Sequence, residues 1–115
     1  MKKTGSCHCG KVKFEVEVEF DQALSCNCSI CQRKGSLLVF VPADKFHLLS
    51  GKDNLTDYQF GKKVIHHYFC STCGVTSFAA ATTPDGKDMR AINVRCLEGV
   101  DIASLKINHF DGKSI

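Results

Sequence analysis

Cysteine spacing constrains this chain more than any other feature. All of its eight cysteines except Cys96 fall into three tight sets: Cys7-His8-Cys9, Cys26-Asn27-Cys28-Ser29-Ile30-Cys31 and Cys70-Ser71-Thr72-Cys73-Gly74. Cysteines one or two residues apart rarely reach the Cα separation and Cβ orientation of an unstrained disulfide. The same spacing suits a metal ion, because a tight turn aims two sulfurs at one point and its backbone N–H groups offset their charge. The two outer pairs together supply a complete tetrahedral set, whereas the central run supplies three sulfurs. What completes that third set is the functional question.

The choice between metal and disulfide also depends on the redox compartment. Met1-Lys2-Lys3-Thr4-Gly5-Ser6-Cys7 is basic but has no apolar run behind it, so no secretory leader is expected. No stretch approaches the roughly 20 apolar residues that cross a bilayer. The expectation is therefore a soluble, cytoplasmic protein without a membrane partner, in which clustered cysteines hold metal. At 115 residues the chain fits a single domain spanning 1–115. Its net charge is +3, and its Lys and Arg are interspersed with Asp and Glu, which argues against a nucleic-acid partner.

Between the cysteines the pattern is that of strands. Lys11 to Phe20 alternates, with Val12, Phe14, Val16, Val18 and Phe20 on one face and charged residues on the other. If that extended geometry reaches back to Cys7 and Cys9, both sulfurs face one ion. Further strands are expected at Ala23–Ser25, Leu37–Val41, Leu55–Phe60, Val64–Phe69, Val75–Ala81 and Met89–Val94. Gly61-Lys62-Lys63 joins two of these as a hairpin, and Thr83-Pro84-Asp85-Gly86 is a turn. Gln32-Arg33-Lys34-Gly35 suits one helical turn closed by glycine. The expected fold is mostly β, with zinc knuckles between strands and only short helical turns.

Pairing Cys7 and Cys9 with Cys70 and Cys73 makes a closed, structural site. In the alternative pairing, the central three share an ion with Cys70 or Cys73, which leaves an awkward remainder. A redox dithiol at Cys70 and Cys73 would need a helix N-terminus, but Val75-Thr76-Ser77-Phe78 is β-rich. Three thiolates from Cys26, Cys28 and Cys31 leave a fourth position on zinc for water or an incoming thiol. In the rival reading Cys96, His47, His66, His67 or His109 closes the site. Arg33 and Lys34, just past the run, are read as a solvated charged turn that could alternatively meet substrate carboxylates. His66-His67 is read as a strand pair with one ring in and one out, and Cys96 as a buried apolar residue.

Gly5-Ser6-Cys7-His8-Cys9-Gly10, Cys26 to Cys31, Phe69 to Gly74, Asn93-Val94-Arg95-Cys96-Leu97 and His109-Phe110-Asp111-Gly112 come in the order seen in one family. The chain resembles the glutathione-dependent formaldehyde-activating (GFA) family, which also includes centromere protein V. The resemblance implies a β-tent fold with two Zn²⁺ per chain: Cys7, Cys9, Cys70 and Cys73 at a structural zinc, and Cys26, Cys28 and Cys31 at a catalytic one. It also implies a carbon–sulfur lyase whose namesake reaction joins formaldehyde and glutathione into S-hydroxymethylglutathione, with a small thiol such as glutathione as partner. The competing expectations are a non-catalytic interaction module with two structural zincs, and a thiol-based metal store or sensor.

Overall fold

Alternation in the second strand builds the core. Val12, Phe14 and Val16 are buried, while Lys13 and Glu17 point outward. Phe14 stacks on Phe46 with ring centroids 5.4 Å apart, and Phe46 lies 4.6 Å from Phe78. This aromatic chain carries the core from one sheet to the next.

The structure, a computed structural model, describes residues 2–61 and 63–112. In chain order its elements are β1 (Lys2–Ser6), β2 (Lys13–Glu17), β3 (Gln22–Cys26), α1 (Ser29–Lys34), β4 (Leu38–Pro42), β5 (Phe46–Ser50), β6 (Leu55–Tyr58), β7 (Ile65–Cys70), β8 (Phe78–Thr82), β9 (Asp88–Asn93) and β10 (Lys106–Phe110). Short 3-10 turns link several of them. The small sheet has the order β1-β2-β5 and the large sheet β10-β3-β4-β9-β8-β7-β6. The mostly-β expectation with short helical turns therefore holds, and the cysteine clusters lie between strands.

Because side chains alternate along a strand, the large sheet has two distinct faces. One face carries Val39, Ile92 and Phe78 into the core with Phe14, Val16 and Phe46. The other carries the cross-strand row Phe40, Ala91, Ala79 and His67, each the direct partner of the next. Alanines in the middle of this row leave the second face shallow at its centre. The next row, Met89, Ala81 and Ile65, continues the same apolar surface.

Several boundaries differ from the sequence reading. Strand β2 stops at Glu17 because the register of its partner β1 ends there, with Lys2 opposite Glu17. Val18 and Phe20 leave the sheet but still pack partly buried against the core. The extended reading of Val75–Ala81 shortens to β8. The hairpin of β6 and β7 forms as expected, with Leu55 opposite Cys70, although Lys62 in its connection lies outside the described residues. Three strands go beyond the sequence reading, and one of them, Phe46–Ser50, forms on the other edge of β2. Lys2–Ser6 is a strand because β2 pairs with it, and Lys106–Phe110 because it lies parallel to β3.

Candidate metal centres and active-site cavity

Two knuckles of matching form build the first cluster. Cys7 N–H donates to Val12 O and Cys70 N–H donates to Val75 O, both at 3.0 Å, and Gly10 and Gly74 close the turns onto Cys7 O and Cys70 O. A turn, rather than extended backbone, therefore aligns Cys7 with Cys9: past Ser6 the chain has left the sheet. The sulfurs of Cys7, Cys9, Cys70 and Cys73 all lie within 4.8 Å of one another and could hold a metal ion. Cys9 Sγ is 3.6 Å from both Cys7 Sγ and Cys70 Sγ. A tetrahedron with Zn–S bonds of about 2.3 Å places its sulfurs about 3.8 Å apart, so this donor set fits zinc.

Protein donors support these sulfurs as thiolates. Val12 N–H reaches Cys7 Sγ at 3.4 Å, and Asn54 Nδ2 donates to Cys70 Sγ at 3.2 Å. The Cys73 and Thr72 N–H groups hold Cys70 down to about 6. For Cys9 the Lys11 N–H pulls downward, but burial and the neighbouring sulfurs together push it up to about 11. Metal uptake displaces the remaining protons, so affinity weakens as pH falls.

Cys26, Cys28 and Cys31 form the second cluster, again within 4.8 Å and able to hold a metal ion. Cys26 ends β3, Cys28 is the N-cap of α1, and Cys31 lies in the first helical turn. The helix begins at Ser29, earlier than its sequence signal at Gln32, because Cys28 O accepts the Gln32 N–H at 2.9 Å. Gly35 closes it as expected, in the left-handed conformation with φ 70°. Cys28 N–H donates to Cys26 Sγ at 3.4 Å. Burial and the neighbouring Cys28 sulfur push Cys31 up to about 12.

The C-terminal strand completes this cluster's surroundings. Pairing of β10 with β3 sets Phe110 opposite Cys26 and brings Gly112 against the sulfurs. A Cβ on Gly112 would lie 2.6 Å from Cys26 Sγ and 3.3 Å from Cys28 Cβ. Gly112→Ala is therefore expected to weaken metal binding at this cluster by about tenfold or more, leaving the four-cysteine cluster loaded. Competition against a chelator, with the metal content followed by native mass spectrometry, measures both.

Among the described residues no further His, Cys, Asp or Glu joins the three sulfurs. Cys96 lies near the other cluster, where burial raises its pKa first and the Cys7 and Cys73 charges add to the shift. His66 Nδ1 pairs with Asp57 Oδ2 at 2.8 Å, and His47 and His109 are exposed. Cys70 and Cys73 belong with Cys7 and Cys9, not with the central run.

Instead, the three sulfurs face a cavity of about 240 Å³. Its floor is the second face of the large sheet, and α1 and Phe110 form the wall beside the cysteines. His67, 7% exposed, lines it and stacks on Phe60 at 5.4 Å. Burial, with help from the Lys34 charge, holds His67 below the ordinary histidine range. His66 and His67 point out and in as their alternation in the strand predicts, and the inside that His67 faces is this cavity. Only the register, which seats His67 opposite Ala79, reveals that. Arg33 matches the solvated turn, being exposed and bonded to Ser29 O at 2.8 Å. Lys34 is exposed as well, and it also lines the cavity, where desolvation lowers its pKa against the pull of the Cys31 and Cys28 sulfurs.

A Rhodobacter sphaeroides protein of known crystal structure is similar to this chain, with a TM-score of 0.79 and 34% sequence identity. The likeness covers 91% of this chain and 99% of that one. The family model described as glutathione-dependent formaldehyde-activating enzyme matches residues 2–110. With nearly its whole length matched and its cysteines gathered into two metal-competent clusters, the chain belongs to the glutathione-dependent formaldehyde-activating enzyme family.

Proposed function

We propose that this protein is a zinc-dependent carbon–sulfur lyase acting on the adduct of a small thiol with an aldehyde, as the family name suggests for glutathione and formaldehyde. The observation that carries the reading is the contrast between the clusters: four sulfurs surround one point, whereas three open onto a cavity. All-sulfur donor sets favour zinc and other thiophilic ions. On this reading Cys7, Cys9, Cys70 and Cys73 hold a structural zinc, and Cys26, Cys28 and Cys31 a catalytic one. When bound there, zinc would keep a substrate thiol ionised at neutral pH, where a free thiol with a pKa of about 8.5 is mostly protonated.

The chain's own groups supply the rest. In the forward direction the sulfur lone pair bonds to the aldehyde carbon, the carbonyl π pair moves onto oxygen, and one proton passes from sulfur to oxygen. The reverse direction breaks the same carbon–sulfur bond. His67 is placed on the cavity wall to carry that proton, and its neutral ring offers one donor and one acceptor nitrogen. Lys34 adds a positive charge beside Cys28 and Cys31. All eight cysteines are free, which suits a reducing, cytoplasmic compartment. No helix among the described residues is long and apolar enough to cross a membrane.

The test follows exchange between glutathione, ¹³C-formaldehyde and their adduct by NMR, with zinc-loaded protein against the spontaneous reaction. Acceleration of about 100-fold is the expected result for positioned acid–base catalysis. A rate equal to the background overturns the proposal.

A further inference from the structure

We infer that the preferred thiol carries a compact apolar body, such as a benzyl or short alkyl group, which the alanine-floored cavity takes up while its sulfur meets Cys26, Cys28 and Cys31. The inference rests on the proposed thiol chemistry and adds to it the class of substrate. Glutathione has two carboxylates and an ammonium, and seating such groups away from water without partners is costly. Among the described residues lining the cavity, Lys34 is the one Lys or Arg, and its charge acts on the Cys28 and Cys31 sulfurs and on His67. The remaining surface is mainly Ala79, Ala81, Ala91, Met89, Leu38 and aromatic rings.

Two further observations agree. Phe40, Phe60, Ile65 and Phe110 are 53%, 41%, 42% and 44% exposed, and all four line this cavity. Large apolar side chains left open around one concavity mark a surface that is covered when a ligand binds. The volume of about 240 Å³ also falls below the roughly 300–1,000 Å³ of pockets for drug-sized ligands, which favours a small body. Arg33 is the other nearby cation. It lines a shallower neighbouring groove with Lys34, Tyr58 and Phe60, outside the alanine floor, and its Nη1 donates to Ser29 O.

The experiment titrates the zinc-loaded protein with benzyl mercaptan, toluene and glutathione, following the methyl signals of Ala79, Ala81, Ala91 and Met89 by NMR. Adduct exchange with formaldehyde is measured for both thiols in parallel. Benzyl mercaptan is expected to bind at least about tenfold tighter than glutathione and to shift these methyls, with toluene shifting the same set more weakly. Ile65→Lys alters an exposed rim position and is expected to remove most of the preference. Equal or tighter binding of glutathione, or apolar probes that leave the methyls unmoved, overturns the inference. If glutathione exchange is then still accelerated, the lyase reading survives alone. Tight benzyl mercaptan binding without faster exchange upholds the apolar ligand and removes only the lyase reading.

Discussion

Cys7→Ser protein is expected to be largely unfolded at 25 °C, to show no cooperative transition on heating, and to retain no metal at the four-cysteine cluster. Cys7 is buried at 3% exposure, at the junction of β1 and the turn into β2, and its sulfur accepts the Val12 N–H. Its cluster joins that junction to the end of β7, elements on different sheets. A serine hydroxyl stays protonated at neutral pH and is a poor ligand for a thiophilic ion, so three sulfurs would remain to hold the metal. Structural zinc contributes on the order of 10 kcal/mol to folding in zinc-finger peptides, while whole domains are stable by only about 5–15 kcal/mol. Loss of this site therefore removes a share of stability comparable with the total. Circular dichroism melts with mass-spectrometric metal counts decide the matter. A variant that melts like the wild type would show that the cluster does not hold the fold together.

Cys28→Ser has the opposite signature. Metal content is expected to fall from two ions to one with the fold intact, and carbon–sulfur exchange to fall to background. Cys28 is the N-cap of α1 and makes no side-chain capping bond, whereas serine is among the best residues for that position. The helix start is therefore kept or strengthened, and any loss reports on the sulfur alone. Two sulfurs would remain, too few to hold a thiolate-rich site. Metal counts with native mass spectra and melting curves test the first half, and exchange NMR tests the second. Collapse of the fold, or retention of both ions, would contradict a separable second centre.

The two centres differ in how far they can be read from sequence. Each knuckle is local: Cys70-Ser71-Thr72-Cys73-Gly74 specifies its turn through spacing and a glycine of φ 81°, and the ligands follow from that turn. Cys7-His8-Cys9-Gly10 behaves in the same way, although an extended reading of its backbone missed the turn that aligns its sulfurs. β10 was not legible, because Lys106–Phe110 has no clean alternation and is a strand only through its pairing with β3. Without that pairing nothing places Gly112 on Cys26 or Phe110 on the cavity wall. His67 is a similar case, since its neighbours Ala79 and Tyr58 come from other strands.

The sequence by itself pointed to which side chains could hold metal, to their division into sets of four and three, and to the strands that carry them. Each knuckle depends on residues a few positions apart, whose geometry short-range sterics and hydrogen bonds dictate, and the count of four ligands then pairs the two outer knuckles. The tertiary structure alone decided that the set of three opens onto an apolar cavity, that His67 and Lys34 share it, and that Gly112 closes its edge. These depend on the register of strands far apart in the chain, and pairing register is set by the packing of the whole core rather than by any one segment.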